Sequence, residues 1–303
     1  MSLQVRFVPL LRERAECKVE VMKRRSSASA LAQTAKVLAR CGVILWLAAP
    51  RLLAEPTTAA ASAFNVYSKA VEARLAQQRR SSRSVADKDG FLASPTVDWK
   101  SADGRLRQGE LIVEQLTPSN DREFPGALLH HWRGTAFAPG AKAADFDRLM
   151  RDVNAYPQHF SPQVIRARGF ALGGDRMEAS MRVRQKHVIT VVMDTVYVID
   201  FGRLDARYGY SVSHSIRIEE IDRAGTGSER ALSADEEHGF LWRQNTYWSY
   251  EEREGGLYLQ IESVSLTRAV PHGLGWVVKP YIESIPRESL EFTLRSVCSA
   301  LRK

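Results

Sequence analysis

The chain has 303 residues, enough for one large domain or two ordinary ones with a sizeable core, and a formal net charge of +8. Ten of its 43 Lys+Arg and three of its 35 Asp+Glu fall within residues 1–54, so the remainder is close to neutral at +1. The basicity belongs to the leader, and a nucleic-acid-binding function loses its main support.

That leader has the grammar of an export signal: "MKRRSS" is a positive stretch, "CGVILWLAAP" an apolar one, and "RLLAEP" places small Ala54 before Glu55. It predicts a secretory signal peptide over residues 1–54, with translation starting at Met22, cleavage after Ala54 and a periplasmic or secreted product. An uncleaved anchor is the alternative, but the apolar run of roughly ten residues falls short of the ~20 that span a bilayer. Cys17 and Cys41 lie in the leader, so Cys298 alone would remain and no intramolecular disulfide could form.

Residues 55–90 read as an N-terminal helix and a polar linker. Phe64, Tyr67, Val71 and Leu75 recur at helical spacing in an Ala-rich segment, and "SSRSVADKDG" ends it. "GRLRQGELIVEQL" and "GALLHHWRGTAF" read as two strands, and "AADFDRLMRDVNAYPQHF" as a helix with Phe146, Leu149, Met150 and Val153 on one face, followed by a turn at "SPQV". The period then changes to two. Met177, Ala179, Met181 and Val183 alternate with polar residues, "VITVVMDTVYVIDF" is a β-branched run, and Tyr210, Val212, His214, Ile216 and Ile218 alternate with Ser211, Ser213, Ser215 and Arg217. "GFLWRQNTYWSYEEREGGLYLQIESVSL" is a hairpin with its turn at Arg253 to Gly256. A last helix is expected from Pro286, which suits a first helical position, with Leu290, Leu294, Val297 and Leu301 in one stripe and Cys298 packed beside it. Grouped strands with helices at both ends and one inserted make the fold class α+β, built on one long antiparallel sheet.

The stretches "DRLMRDVNAYPQHF", "SVSHSIRIEEI", "NTYWSYEEREGGLYLQIESVSLTR" and "GLGWVVKPYIESIPRESLEFTL" stand in an order that resembles the START-type lipid-transfer and polyketide-cyclase (SRPBCC) superfamily. The resemblance implies a helix-grip fold over residues 91–303, in which a curved antiparallel β-sheet wraps around a long C-terminal α-helix, with the N-terminal helix as an extra element. It also implies an apolar cavity between sheet and helix, and a binding or transfer role for a lipid, quinone or similar apolar small molecule. The expected partners are that ligand and, transiently, a membrane, without nucleic acid.

The ligand-binding residues expected on the cavity wall are Met181, Val183, His214, Ile216, Trp242, Trp248, Leu259, Ile261, Trp276 and Leu294. Trp242, Trp248, Tyr250 and Phe240 share a strand parity, and Trp276 sits in the loop that would close the cavity end. With the faces exchanged, Arg243, Asn245, Tyr247 and Glu262 would instead be the pocket's polar groups. No cofactor, metal site or catalytic grouping is expected: there is no phosphate loop, zinc-helix motif or nucleophile elbow. Adjacent His130 and His131 point to opposite faces of a strand and cannot chelate one metal, and "DEEH" at Asp235 to His238 reads as a solvated charge run. The alternative function is a cyclase- or hydrolase-like enzyme using His214 or Glu262 as acid or base.

Overall fold

The computed structural model describes residues 55–84, 99–117, 124–186, 189–269 and 275–302, with the side chains of residues 81–84, 99–100 and 275–283 outside that set. The leader, its signal peptide and most of the polar linker therefore lie outside the described residues. Among the described residues, no helix is long and apolar enough to cross a membrane.

Helix α1 (Thr58–Ser84) starts where Thr57 Oγ1 accepts the Ala60 amide at 3.0 Å, satisfying one of the donors that the first turn leaves open. Ala60, Phe64, Val71 and Leu75 are buried along one stripe, as the spacing predicts. Helix α2 (Trp99–Arg107) is a correction, because the sequence pattern makes its second half the start of a strand. The run of residues from Gly104 instead completes a helix that ends at Arg107, followed by a turn in which Gly109 has a φ of 87°, suiting the left-handed position after a helix. Only β1 (Ile112–Gln115) of that stretch is extended.

Strand β2 (Ala127–Pro139) leads into α3 (Ala143–Arg151), a 3-10 turn at Val153–Ala155 and the single-turn α4 (Tyr156–His159). Then come β3 (Val164–Gly173), β4 (Arg176–Lys186), β5 (Thr190–Arg203), β6 (Tyr208–Asp222), β7 (Arg230–Ala231), β8 (Arg243–Arg253) and β9 (Gly256–Arg268). The β8–β9 turn falls at Arg253 to Gly256 as expected, with Gly255 at φ 85°. Strand β3 has no counterpart among the expected elements. Lying at the sheet edge, it leaves Ile165, Phe170 and Leu172 exposed and shows no clean alternation.

All pairings are antiparallel, in the order β1-β2-β9-β8-β6-β5-β4-β3, with β7 paired to β6. Helix α5 (Gly275–Leu301) crosses the inner face of this curved sheet and buries Leu290, Leu294, Val297, Cys298 and Leu301. It begins eleven residues before the Pro286 start expected, so Pro286 lies inside the helix rather than at its first position. This is the helix-grip arrangement. The inner core joins α5, α3 and α4 to the sheet, while Phe64, Val71 and Leu75 of α1 form a second core with Leu129, Trp242, Tyr247, Val264 and Leu266 on the outer face. The sheet is thus covered on both sides, and that decides where its side chains go.

Candidate functional site: a cavity between sheet and C-terminal helix

A cavity of about 340 Å³ lies under the middle of α5. Met150, Tyr156 and Phe160 close one side and Val164, Met181, Val183, Val191, Met193 and Ile199 of β3, β4 and β5 another. Pro286, Leu290 and Phe292 form the roof. Beyond it the space is filled: Leu294, Val297 and Leu301 pack with Ala136, Leu257 and Leu259 in the continuous inner core. The volume is near the lower end of the ~300–1,000 Å³ that houses a drug-sized ligand.

The floor is different in character. Pairing registers place Ser213, Thr246 and Ser263 side by side across β6, β8 and β9, and Gln244, Ser265 and His130 side by side across β8, β9 and β2. One level deeper, Ser211 stands next to Trp248, and Trp248 next to Ile261. Tyr197 donates to Gln244 Oε1 at 2.8 Å, Gln244 Nε2 donates to Ser263 Oγ at 3.4 Å, and His130 Nε2 is 3.0 Å from Thr267 Oγ1. Burial pushes His130 down to about 4, so its ring is neutral near pH 7. A cavity with an apolar roof and a hydroxyl-lined floor can hold a molecule that is itself two-sided.

Met181, Val183, Trp248 and Ile261 of the expected set line this cavity. Leu259 and Leu294 belong to the inner core rather than to the cavity wall. Three residues require correction. His214 lies on the outer face, its Nε2 2.7 Å from Glu72 Oε1 of α1. Ile216 on the same strand is 57% exposed. Trp242 precedes β8 and packs in the outer core against α1, so strand parity did not govern it. Trp276 falls in the first turn of α5 rather than in a loop, among the residues whose side chains are not described. Sequence reasoning missed Ser211, Ser213, Gln244, Thr246, Ser263, Ser265 and the role of His130. The signal was present as alternating hydroxyls in "YSVSHS" and "ESVSL".

Glu262 and His214, the two residues of the enzyme alternative, both face α1. Glu262 accepts from Arg133 Nε at 2.9 Å, is 3.0 Å from His131 Nε2 and is paired with Arg74 of α1. His131 in turn is 2.8 Å from the Tyr67 hydroxyl. Burial opposes the charge on Glu262, but the bond to His131 and the charges of Arg133 and Arg74 outweigh it and bring the carboxyl down to about 2. Glu72 accepts from Tyr247 at 3.0 Å, and its pKa is lowered chiefly by the hydrogen bond to His214. These are fasteners that hold α1 on the sheet. Asn245 and Tyr247 share that face, so the exchanged assignment of β8 does not hold either.

The "DEEH" segment is also more than a solvated run. His238 N and Phe240 N each donate to the buried Glu220 carboxylate at 3.0 Å, and His238 Nδ1 is 2.8 Å from it. This ties down the loop whose Gly239, Phe240 and Leu241 line the cavity beside Arg268. Among the described residues no group of His, Cys, Asp and Glu could hold a metal ion.

The topology is a curved antiparallel sheet closed over a long C-terminal helix. No family model matches the chain, and no curated protein matches it. Among solved structures it is similar to a Thermus thermophilus protein, at 12% identity over 56% of this chain and 94% of that one with a TM-score of 0.41. It is also similar to the Zhui aromatase/cyclase from Streptomyces sp. R1128, at 12% identity over 57% of this chain and 93% of that one with a TM-score of 0.39. A third is a STAR-related lipid transfer protein from Xanthomonas axonopodis, at 15% identity over 63% of this chain and 99% of that fragment with a TM-score of 0.38. Likenesses this distant carry no activity across.

Proposed function

We propose that this protein binds and carries one compact, largely apolar small molecule in the cavity between β-sheet and α5. The observation behind this reading is the cavity itself: about 340 Å³ of space framed by Met181, Val183, Trp248, Ile261, Leu290 and Phe292. The leader grammar supports export as the setting, with the ligand met in the periplasm or outside the cell, and a transient membrane contact supplying it. Binding rather than catalysis is favoured because His214 and Glu262 are committed to α1 and do not reach the cavity.

The test is native mass spectrometry and thermal melting of the purified protein against a panel of fatty acids, sterols, quinones and phospholipids. At least one apolar ligand should bind at one per chain and raise Tm, since a ligand at a hundred times its Kd stabilises by about 2.7 kcal/mol. Val183→Trp, which fills the cavity, should remove both effects. A panel in which no member alters mass or Tm would overturn the reading.

A further inference from the structure

Three of the five large apolar side chains exposed among the described residues, Ile165, Phe170 and Leu172, sit on the edge strand β3. The β3–β4 hairpin also concentrates charge. Residues 164–186 hold six Lys+Arg against two Asp+Glu, whereas the rest of the chain after residue 54 holds 27 against 30. Arg166 and Arg182 are partly neutralised by Asp194. Arg168, Arg184 and Lys186 are exposed, and among the described residues none of these three forms an ion pair.

The register puts cations and apolar groups on one side. Met181 and Val183 of β4 line the cavity, so the alternate residues Arg182, Arg184 and Lys186 face outward. Arg166, Arg168 and Phe170 of β3 lie opposite Arg182, Ser180 and Glu178 and share that outward face. Arg168 stands over the Phe170 ring at 4.7 Å, so guanidinium and ring leave the sheet together. The outer core under α1 is built on Leu129, Tyr247, Val264 and Leu266 of β2, β8 and β9 and takes in no residue of β3 or β4.

Edge strands commonly carry Lys or Arg to deter pairing with another strand, which accounts for the cations but not for Phe170 and Leu172 exposed among them. A pairing strand is opposed by the edge itself, because Gly169 N already donates away from β4, to Asn154 Oδ1 at 3.3 Å. A second copy of the chain would set like charge against like. Apolar side chains among unpaired cations match an anionic lipid surface, where the apolar groups enter the boundary of headgroups and acyl chains and the cations meet phosphate.

We infer that the outer face of the β3–β4 hairpin docks on an anionic membrane, with Phe170 and Leu172 entering the headgroup layer and Arg168, Arg184 and Lys186 meeting the lipid phosphates. This goes beyond the cavity and gives the membrane contact a place, on the strands whose inward side chains Val164, Met181 and Val183 form a cavity wall. It rests on the carrier reading only for the purpose of the contact.

Hydroxyl-radical footprinting of the full chain, read by mass spectrometry, tests the assignment with two kinds of vesicle: phosphatidylglycerol mixed equally with phosphatidylcholine, and phosphatidylcholine alone. Phe170 and Leu172 should be protected on the anionic vesicles only, while Val66 of α1, 70% exposed, stays as reactive as in free protein. Raising salt from about 0.1 M to about 1 M, which shortens the screening length from about 10 to about 3 Å, should remove the protection. In the triple variant Arg168→Gln/Arg184→Gln/Lys186→Gln the lipid needed for half-protection should rise roughly a hundredfold, about fivefold for each cation removed. These side chains are exposed, so its Tm should match the parent's, which shows that the variant is folded. Val66 protected as strongly as Phe170 would mean that another face meets the lipid, and would overturn the assignment. Protection by polyglutamate in solution but not by anionic vesicles would overturn it in favour of an acidic protein partner. Protection that grows with protein concentration in the absence of lipid would overturn it in favour of a second copy. No protection under any condition overturns it as well, and leaves the carrier reading to its own ligand panel.

Discussion

Gly134 of β2 lies directly beneath Leu294 of α5: a Cβ placed on Gly134 would come within 2.5 Å of Leu294 Cδ1 and 3.0 Å of Leu290 Cδ2. The absent side chain is what lets the helix seat on the sheet, and Leu294 is fully buried there. Leu294→Ala should cost ~2–5 kcal/mol, the range for truncating a buried leucine. Gly134→Ala should cost ~1–3 kcal/mol through overpacking. Glu291→Gln removes an exposed pair with Arg287 and should change stability by about 0–1 kcal/mol. Denaturant melts in which Leu294→Ala and Glu291→Gln behave alike would mean that α5 does not hold the sheet by this face.

The outer face makes a separate prediction. Glu262 and Arg133 are both almost fully buried, whereas Arg74 on α1 is 42% exposed. Glu262→Ala leaves Arg133 without its main counter-charge and should cost ~3–5 kcal/mol. Arg74→Ala removes the solvated partner and should cost about 0–1 kcal/mol. Limited proteolysis of Glu262→Ala should also cut within α1 sooner than in the parent. Equal losses from the two substitutions would show that the fastening of α1, and not the buried pair, is what Glu262 supplies.

Cys298 lies on the buried face of α5 with its Sγ 4.0 Å from the Phe137 carbonyl, and burial raises its pKa to about 11. The thiolate is the reactive form, so native alkylation should be slow and should rise steeply at the denaturation midpoint. Peptide mapping distinguishes it from Cys17 and Cys41. Rapid labelling of Cys298 in the folded protein would contradict the packing of the last helical turns.

The helices of the two cores were legible because each buries one stripe against one surface: Phe64, Val71 and Leu75 in α1, and Leu290, Leu294 and Val297 in α5. Strand β6 was not, for a physical reason. The rule that apolar groups face the core puts its apolar side, including Val212, on the cavity, but α1 covers the outer face and takes that side. The serine side then faces a cavity whose floor is polar. Alternation reveals two faces and cannot say which is which when both are covered. The start of α5 was not legible because Pro286 fits a first helical position by its own chemistry, while its place inside the helix is set by packing against the cavity.

Titration separates two groups that act in opposite directions, the buried His130 and the half-buried Glu237. His130 falls from 6.5 to about 4 through burial, so the folded state favours its neutral form. Its contribution is whole above pH 6.5 and is lost as pH falls from there towards 4. Glu237 rises from 4.5 to about 7, chiefly through burial, with the Glu220, Glu219 and Glu55 charges adding to it. Its contribution is whole below pH 4.5 and is lost as pH rises towards 7. Between pH 6.5 and 4.5 the two oppose each other, and the parent protein should show a shallow profile there. His130→Gln should expose the Glu237 limb, with stability increasing on acidification relative to the parent. Glu237→Gln should do the reverse, steepening the acid loss. Urea midpoints at half-unit pH steps for the three proteins read this directly. Parallel profiles for all three would mean that neither the cavity floor at His130 nor the loop anchored on Glu220 is shielded from water as the structure has it.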